Sequence, residues 1–152
     1  MQTQHLTAGF IGLGLIGGSI ARALKKQAPS TTSYGPYMRS RDRLLKASGG
    51  RSRRHYLEGV GEPLRQCDII FLCTPVEYNA SYLEQIRPYL KPGAVITDVG
   101  STKTQIHEAV QSLAMEESFI GGHPMAGSEK TGYENSTDHL LENALLHSDS
   151  HR

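Results

Sequence analysis

Residues 121–136, Gly-Gly-His-Pro-Met-Ala-Gly-Ser-Glu-Lys-Thr-Gly-Tyr-Glu-Asn-Ser, set a histidine between a glycine pair and a proline in a stretch with almost nothing apolar. An imidazole with an ordinary pKa of about 6.5 is mostly neutral near neutral pH and can take up a proton. The glycines before His123 let a second molecule come close to the backbone, and Pro124 limits the local conformations. A solvated loop histidine is the plainer reading of the same residues. The other histidines, His5, His55, His107, His139, His147 and His151, fit no motif.

A second chemical signal lies near the start. Ala8-Gly9-Phe10-Ile11 reads as a short buried strand, and Gly12-Leu13-Gly14-Leu15-Ile16-Gly17 follows directly. Ile16, Ile20, Ala23 and Leu24 then recur at helical spacing until Pro29 stops the pattern. Strand, glycine turn and helix in this order are the context that a dinucleotide-binding turn requires. Gly12 permits the tight turn, Gly14 lets a pyrophosphate approach the backbone, and Gly17 lets the helix pack on the strand while its N-terminus faces the phosphates. Gly12, Gly14, Leu15, Ile16 and Gly17 are therefore the expected cofactor-binding residues of the turn.

Cofactor choice should be written at the end of the second strand, about twenty residues beyond the last glycine. Tyr37-Met38-Arg39-Ser40-Arg41 stands there, and no acidic residue appears before Asp42. Arg39, Ser40 and Arg41 suit a 2′-phosphate, because guanidinium groups bind phosphate oxygens in pairs. The same residues also read as a solvated basic turn. The cofactor is thus NAD or NADP, with a lean to NADP. Thr31-Thr32-Ser33-Tyr34-Gly35-Pro36 is unusually polar for the strand that should precede them.

The remaining elements alternate. Residues 68–73 form a continuous apolar strand ending in Thr74-Pro75, followed by a helix with Ala80, Leu83 and Ile86 that Pro88 ends. Residues 94–99 form the next strand; a turn at Gly100-Ser101 leads to a helix whose Ile106, Ala109, Val110 and Leu113 make one face, capped by Ser101 or Thr102. Residues 118–121 are the last clear strand and deliver His123 at their carboxyl end. Alternating strands and helices imply an α/β fold, a doubly wound, mostly parallel, Rossmann-like sheet with ligands outside the carboxyl ends of the strands. The glycine turn, Thr74-Pro75, Gly100-Ser101 and His123 all fall on that edge.

Bulk properties narrow the class. A chain of 152 residues suits one domain that buries about two thirds of its unfolded surface without a staple. Sixteen Lys and Arg against fifteen Asp and Glu leave a net charge of +1, with no global field for nucleic acid or an anionic membrane. Cys67 and Cys73 have no partners at metal-ligand spacing and read as reduced core thiols. No basic leader precedes an apolar segment, and no run of about eighteen apolar residues occurs, so a cytoplasmic protein is expected.

Four segments together, Gly12-Leu13-Gly14-Leu15-Ile16-Gly17-Gly18-Ser19, Asp68-Ile69-Ile70-Phe71-Leu72-Cys73-Thr74-Pro75, Asp98-Val99-Gly100-Ser101-Thr102-Lys103 and Gly121-Gly122-His123-Pro124-Met125-Ala126-Gly127-Ser128-Glu129, resemble prephenate dehydrogenases of tyrosine biosynthesis. The resemblance covers nearly all of residues 8–144. It implies an NAD(P)-dependent oxidoreductase that takes hydride from the ring carbon bearing the hydroxyl of prephenate, with loss of carbon dioxide giving 4-hydroxyphenylpyruvate; a close relative uses arogenate. It implies catalytic roles for His123, as the base that takes the hydroxyl proton, and for Ser101, hydrogen-bonded near the same hydroxyl. Ser101, His123 and Glu129 would meet the substrate, Glu129 at its entrance; Thr74, Pro75 and Gly100 would join the turn in binding cofactor. The competing reading is a dinucleotide-binding module without turnover. Prephenate carries two carboxylates, for which only Lys103 and Lys130 are at hand in these loops. The family places a substrate-binding arginine, and its homodimer contact, in a following helical domain.

Two stretches depart from the family pattern. Residues 51–56 read Arg-Ser-Arg-Arg-His-Tyr where an apolar strand belongs, and residues 145–152 read Leu-Leu-His-Ser-Asp-Ser-His-Arg where a strand should lead onward. One permitted codon set for the tail, read one base along, spells Tyr-Tyr-Ile-Leu-Thr-Pro-Thr, and residues 51–55 shift likewise to Val-Val-Val-Asp-Ile. The expected organisation is a nucleotide-binding domain over residues 1–144 and a frameshifted, early-terminated tail over 145–152, with 51–56 as loop and the tail outside the sheet. Native codons incompatible with the shifted readings would exclude this history.

Overall fold

In a computed structural model of the protein, the structure describes residues 6–28, 32–35, 54–56 and 60–150. Strand β1 (Thr7–Ile11) leads into helix α1 (Leu15–Gln27); β2 (Thr32–Gly35) and β3 (Arg54–Tyr56) follow. Then come β4 (Ile69–Leu72), α2 (Val76–Ile86), β5 (Val95–Asp98), α3 (Thr104–Ser112), β6 (Phe119–Pro124) and β7 (Leu146–Ser150). The seven strands form one sheet in the order β3-β2-β1-β4-β5-β6-β7, all neighbours parallel except β6 and β7.

Strand order reverses direction between β1 and β4, which makes their carboxyl ends the switch point of the sheet. Parallel crossovers are right-handed, so β1-α1-β2 puts its helix on one face while β4-α2-β5-α3-β6, running the other way, covers the opposite face. On that second face Ile70, Leu72 and Ile96 pack with Leu83 and Ile86 of α2, Ile106 and Val110 of α3, and Phe119. Alternate residues Phe10 and Phe71 stack across the β1–β4 pair with ring centroids 5.1 Å apart. Burial at this density, each aliphatic side chain contributing about 1.5–3 kcal/mol, makes these four strands the rigid base of the fold.

Several expectations change. Residues 54–56 are strand, not loop, pairing Ser33 with Arg54 through Gly35 with Tyr56. An outermost strand needs backbone partners on one side only, so it does not demand the apolar run of a central strand. The tail also enters the sheet: Leu146–Ser150 runs antiparallel to β6, with Pro124 opposite Leu146 and Ile120 opposite Ser150. Strand β6 consequently continues through His123 to Pro124 instead of stopping at residue 121. The polar second strand forms at Thr32–Gly35. Helix α3 starts at Lys103 as N-cap with no side-chain cap bond, so neither Ser101 nor Thr102 caps it.

Candidate functional site

Ile11, Leu72 and Asp98 stand side by side at the carboxyl ends of β1, β4 and β5. Cys73 N–H donates to the Ile11 carbonyl at 2.7 Å and Val99 N–H to the Leu72 carbonyl at 3.2 Å, which aligns the three departing loops. Residues 12–17, 74–75 and 100–101 therefore share one edge, as expected.

The glycine turn divides into two kinds of position. Gly12 has φ +94°, and a Cβ there would lie 2.8 Å from the Cys73 carbonyl group; one on Gly17 would collide with the Gly12 carbonyl oxygen and come within 2.9 Å of Cys73 Cβ. Both glycines are demanded by the chain's own packing. A Cβ on Gly14 would meet none of the described residues within 4 Å. Gly14 is also the N-cap of α1, with no side-chain cap bond and no acidic residue in the first turn. Among the described residues, then, no side chain caps the first turn of the helix and none crowds Gly14, the arrangement that accepts a phosphate. These residues fit the pyrophosphate of a dinucleotide.

The stretch after His123 returns to α1. Ser136 is buried; its Oγ accepts from Arg22 Nε at 2.8 Å, and Thr137 N–H donates to Ser19 Oγ at 3.1 Å. The Arg22 guanidinium lies 4.6 Å above the Tyr133 ring. A Cβ on Gly18 would sit 2.8 Å from both Ser136 Oγ and the Tyr133 ring, so Gly18 is what lets this segment close on the helix. The chain that carries His123 is thereby tied back to the nucleotide turn.

The densest polar network lies between the other two loops. Asp98 is buried; its Oδ2 accepts from Lys103 Nζ at 2.6 Å and from Gly100 N–H at 3.0 Å, while Oδ1 accepts from Gly122 N–H at 3.2 Å. Lys103 Nζ also donates to the Gly100 carbonyl at 2.5 Å and the Gly122 carbonyl at 2.7 Å. Its three donors are used within the protein, so Lys103, one of the two lysines at hand in these loops, has none left for a substrate carboxylate. Ser101 is exposed and His123 half-buried, each directly after one of these glycines; Glu129 is exposed. Arg39, Ser40 and Arg41 lie outside the described residues.

Two features of this edge escaped the sequence. Asn79 is fully buried on α2 and its Oδ1 accepts from the Thr74 hydroxyl at 2.7 Å, turning the Thr74 lone pairs away from α2; among the described residues Asn79 Nδ2 has no hydrogen-bond partner. The only sign was a polar residue on the face that Leu83 and Ile86 bury. The Asp98–Lys103 pair could have been suspected from an acid ending a buried strand with a lysine five residues on. Near these groups, an apolar cavity of 280 Å³ lies between Ile20, Phe71, Val99, Pro124 and Leu146. Cys67 and Cys73 are free; burial pushes the Cys67 thiol up to about 12 and raises Cys73 further, the Asp98 charge adding to the latter, so neither offers a thiolate.

A parallel sheet reversing at β1 and β4, with an uncapped glycine turn at the reversal, defines a nucleotide-binding domain of the Rossmann-like class. Residues 20–146 match the family model described as prephenate dehydrogenase, nucleotide-binding domain, and the chain belongs to that family. Prephenate dehydrogenase of Lactococcus lactis subsp. cremoris is 40% identical over 138 residues, which are 88% of this chain and 38% of that protein. The crystal structure of Synechocystis arogenate dehydrogenase is 34% identical with a TM-score of 0.80, over 95% of this chain and 50% of that one. Prephenate dehydrogenase from A. aeolicus, in complex with hydroxyphenyl propionate and NAD+, shares the fold with a TM-score of 0.83 at 23% identity, over 100% of this chain and 53% of that one. The chain spans 38% to 53% of the length of these three proteins. Among the described residues no helix is long and apolar enough to cross a membrane.

Proposed function

We propose that this chain is the nucleotide-binding part of a dehydrogenase of tyrosine biosynthesis that oxidatively decarboxylates prephenate to 4-hydroxyphenylpyruvate, with arogenate as the alternative substrate. The observation that carries the reading is the convergence, on one sheet edge, of an open helix N-terminus beside Gly14 with loops bearing Ser101 and His123. A bound nicotinamide would accept hydride from the carbinol carbon. The chain's own residues do the rest: the turn of Gly12, Gly14, Leu15, Ile16 and Gly17 binds the pyrophosphate, and Thr74, Pro75 and Gly100 flank the cofactor. His123 takes the hydroxyl proton as the carbonyl develops, Ser101 hydrogen-bonds near that oxygen, and Glu129 lines the entrance. NADP is preferred over NAD through Arg39, Ser40 and Arg41. Replacing Arg39 and Arg41 by Ala should weaken NADP by about 1.5–3 kcal/mol per lost charged hydrogen bond and leave NAD nearly untouched. Equal affinities of the unsubstituted chain for the two cofactors would end that preference.

A second reading, a dinucleotide-binding chain without useful turnover by itself, is favoured by the engagement of all three Lys103 donors within the protein. The two carboxylates of prephenate then need cations from elsewhere, and an unoriented substrate loses several orders of magnitude in rate. With prephenate and NAD or NADP, the purified chain should bind cofactor yet produce no useful reduced cofactor by absorbance. Turnover within about tenfold of a typical ~10 per second would overturn this second reading, while absence of any dinucleotide binding would overturn both.

A further inference from the structure

We propose that the Asp98–Lys103 ion pair is the positioning device of this site, holding the backbone of Gly100 and Gly122 as one unit and thereby placing Ser101 and His123. The functional meaning of those two residues rests on the reading above. The placement itself rests on geometry.

Ladder geometry explains why such a device is needed. The β5–β6 register runs from Ile96 opposite Phe119 to Thr97 opposite Ile120, and β5 ends at Asp98. Beyond that point β6 continues while the neighbouring chain turns away, so the β5-side polar groups of Gly122 have no ladder partner there. The side chains supply one: Asp98 Oδ1 takes the Gly122 N–H and Lys103 Nζ reaches the Gly122 carbonyl. The same two side chains take the N–H and carbonyl of Gly100. All four backbone groups of the two glycines thus end on one ion pair. Glycine is needed for the approach, since a Cβ on Gly122 would lie 2.8 Å from the Asp98 carbonyl oxygen and one on Gly100 would lie 3.0 Å from Asp98 Oδ2.

Ordinary structural roles do not account for Lys103. It stands at the N-cap of α3, the end of the helix dipole that disfavours a cation. It is only 16% exposed beside an Asp98 side chain that is 0% exposed, and removing both charges from water is costly unless every donor and acceptor is matched. Here the ammonium's three donors are matched, and the carboxylate accepts three bonds. Lys103 is therefore a positioning residue and not a substrate ligand. A network of this kind gives the edge one arrangement, because any movement of Gly100 away from Gly122 breaks charged hydrogen bonds.

The test is residue-resolved amide hydrogen exchange on the isotopically labelled chain, with Lys103→Gln, Asp98→Asn and the conservative Lys103→Arg. Exchange at Gly100 and Gly122 should quicken together by about tenfold or more in the first two variants. The Ser101 and His123 side-chain resonances should shift with them, the amides of Phe10 and Ile70 should keep their protection, and Lys103→Arg should restore part of the effect. Should Asp98→Asn fail to fold, Lys103→Gln, at a partly exposed side chain, decides the matter. Unchanged exchange at the two glycines, changes at one without the other, or equal acceleration at Phe10 and Ile70 would overturn the proposal. Titration of the unsubstituted chain with NAD and NADP tests the underlying reading separately. A chain that binds neither loses its assigned role, while the exchange data still decide whether the pair couples the two loops.

Discussion

The turn after β1 and the paired loops after β5 and β6 both place glycines at carboxyl strand ends, yet they finish their hydrogen bonding in opposite ways. At Gly14 the helix N-terminus has no side-chain cap, and among the described residues nothing crowds it. At Gly100 and Gly122 both N–H groups and both carbonyls are taken by Asp98 and Lys103. A region whose polar groups are left to be filled is built to receive a ligand. One whose polar groups are filled internally is built to keep its neighbours in place. On the reading proposed above, the contrast separates binding from positioning on a single sheet edge, and it assigns different consequences to glycine substitutions that look alike.

The largest effect is expected at the open turn. Gly14→Val puts a branched side chain where the pyrophosphate would lie, and dinucleotide affinity should fall by about two orders of magnitude or more, roughly the loss of two charged hydrogen bonds. Because a Cβ there meets none of the described residues, the melting temperature should hardly move. Unchanged affinity by calorimetric titration would remove the site. Gly122→Ala should behave in the reverse sense: its methyl would press on the Asp98 carbonyl and come within 3.0 Å of Thr97 Oγ1. Overpacking of this kind costs about 1–3 kcal/mol, readable in urea unfolding, and a variant as stable as the parent would show that the edge is looser than the network implies.

The smallest effect lies at the opposite, amino-terminal edge, where an ion pair serves structure alone. Asp68 accepts from Lys91 Nζ at 2.6 Å and from Thr7 N–H at 2.7 Å; the hydrogen bond from Lys91, then that from Thr7, hold its carboxyl below the usual range. A carboxyl depressed in the folded state adds stability that is fully present above its unfolded pKa of about 3.9 and is lost as pH falls through the lower folded value. Asp68→Asn should therefore cost about 1 kcal/mol or less near neutrality, and its deficit relative to the parent should shrink in acid. A deficit that does not change between neutral pH and strong acid would mean that the Asp68 charge is not what the fold uses.

Much of the first region was legible because its signals are local. Apolar residues 8–11, glycines at 12, 14 and 17 and the helical recurrence of Ile16 and Ile20 sit within one short segment, and the structure turns and coils where they say. The β4-α2-β5-α3 succession was readable for the same reason, since buried parallel strands are continuous apolar runs. The outer strands were not. Arg54–Tyr56 and Leu146–Ser150 carry polar residues that read as solvated chain, and only a partner at the sheet's margin makes them strands. Pairing with β7 likewise drew His123 out of a loop and into β6.

By itself, then, the sequence determined the order of elements, the doubly wound class, the strand–glycine turn–helix and the edge on which Ser101 and His123 would lie, because periodicity and glycine chemistry act over a few residues. Only the tertiary structure decided what Lys103 does. Its partners stand three, five and nineteen residues away, on a loop, the end of a strand and the neighbouring strand. Their meeting depends on where β5 stops and β6 goes on, a property of the assembled sheet that no local pattern encodes.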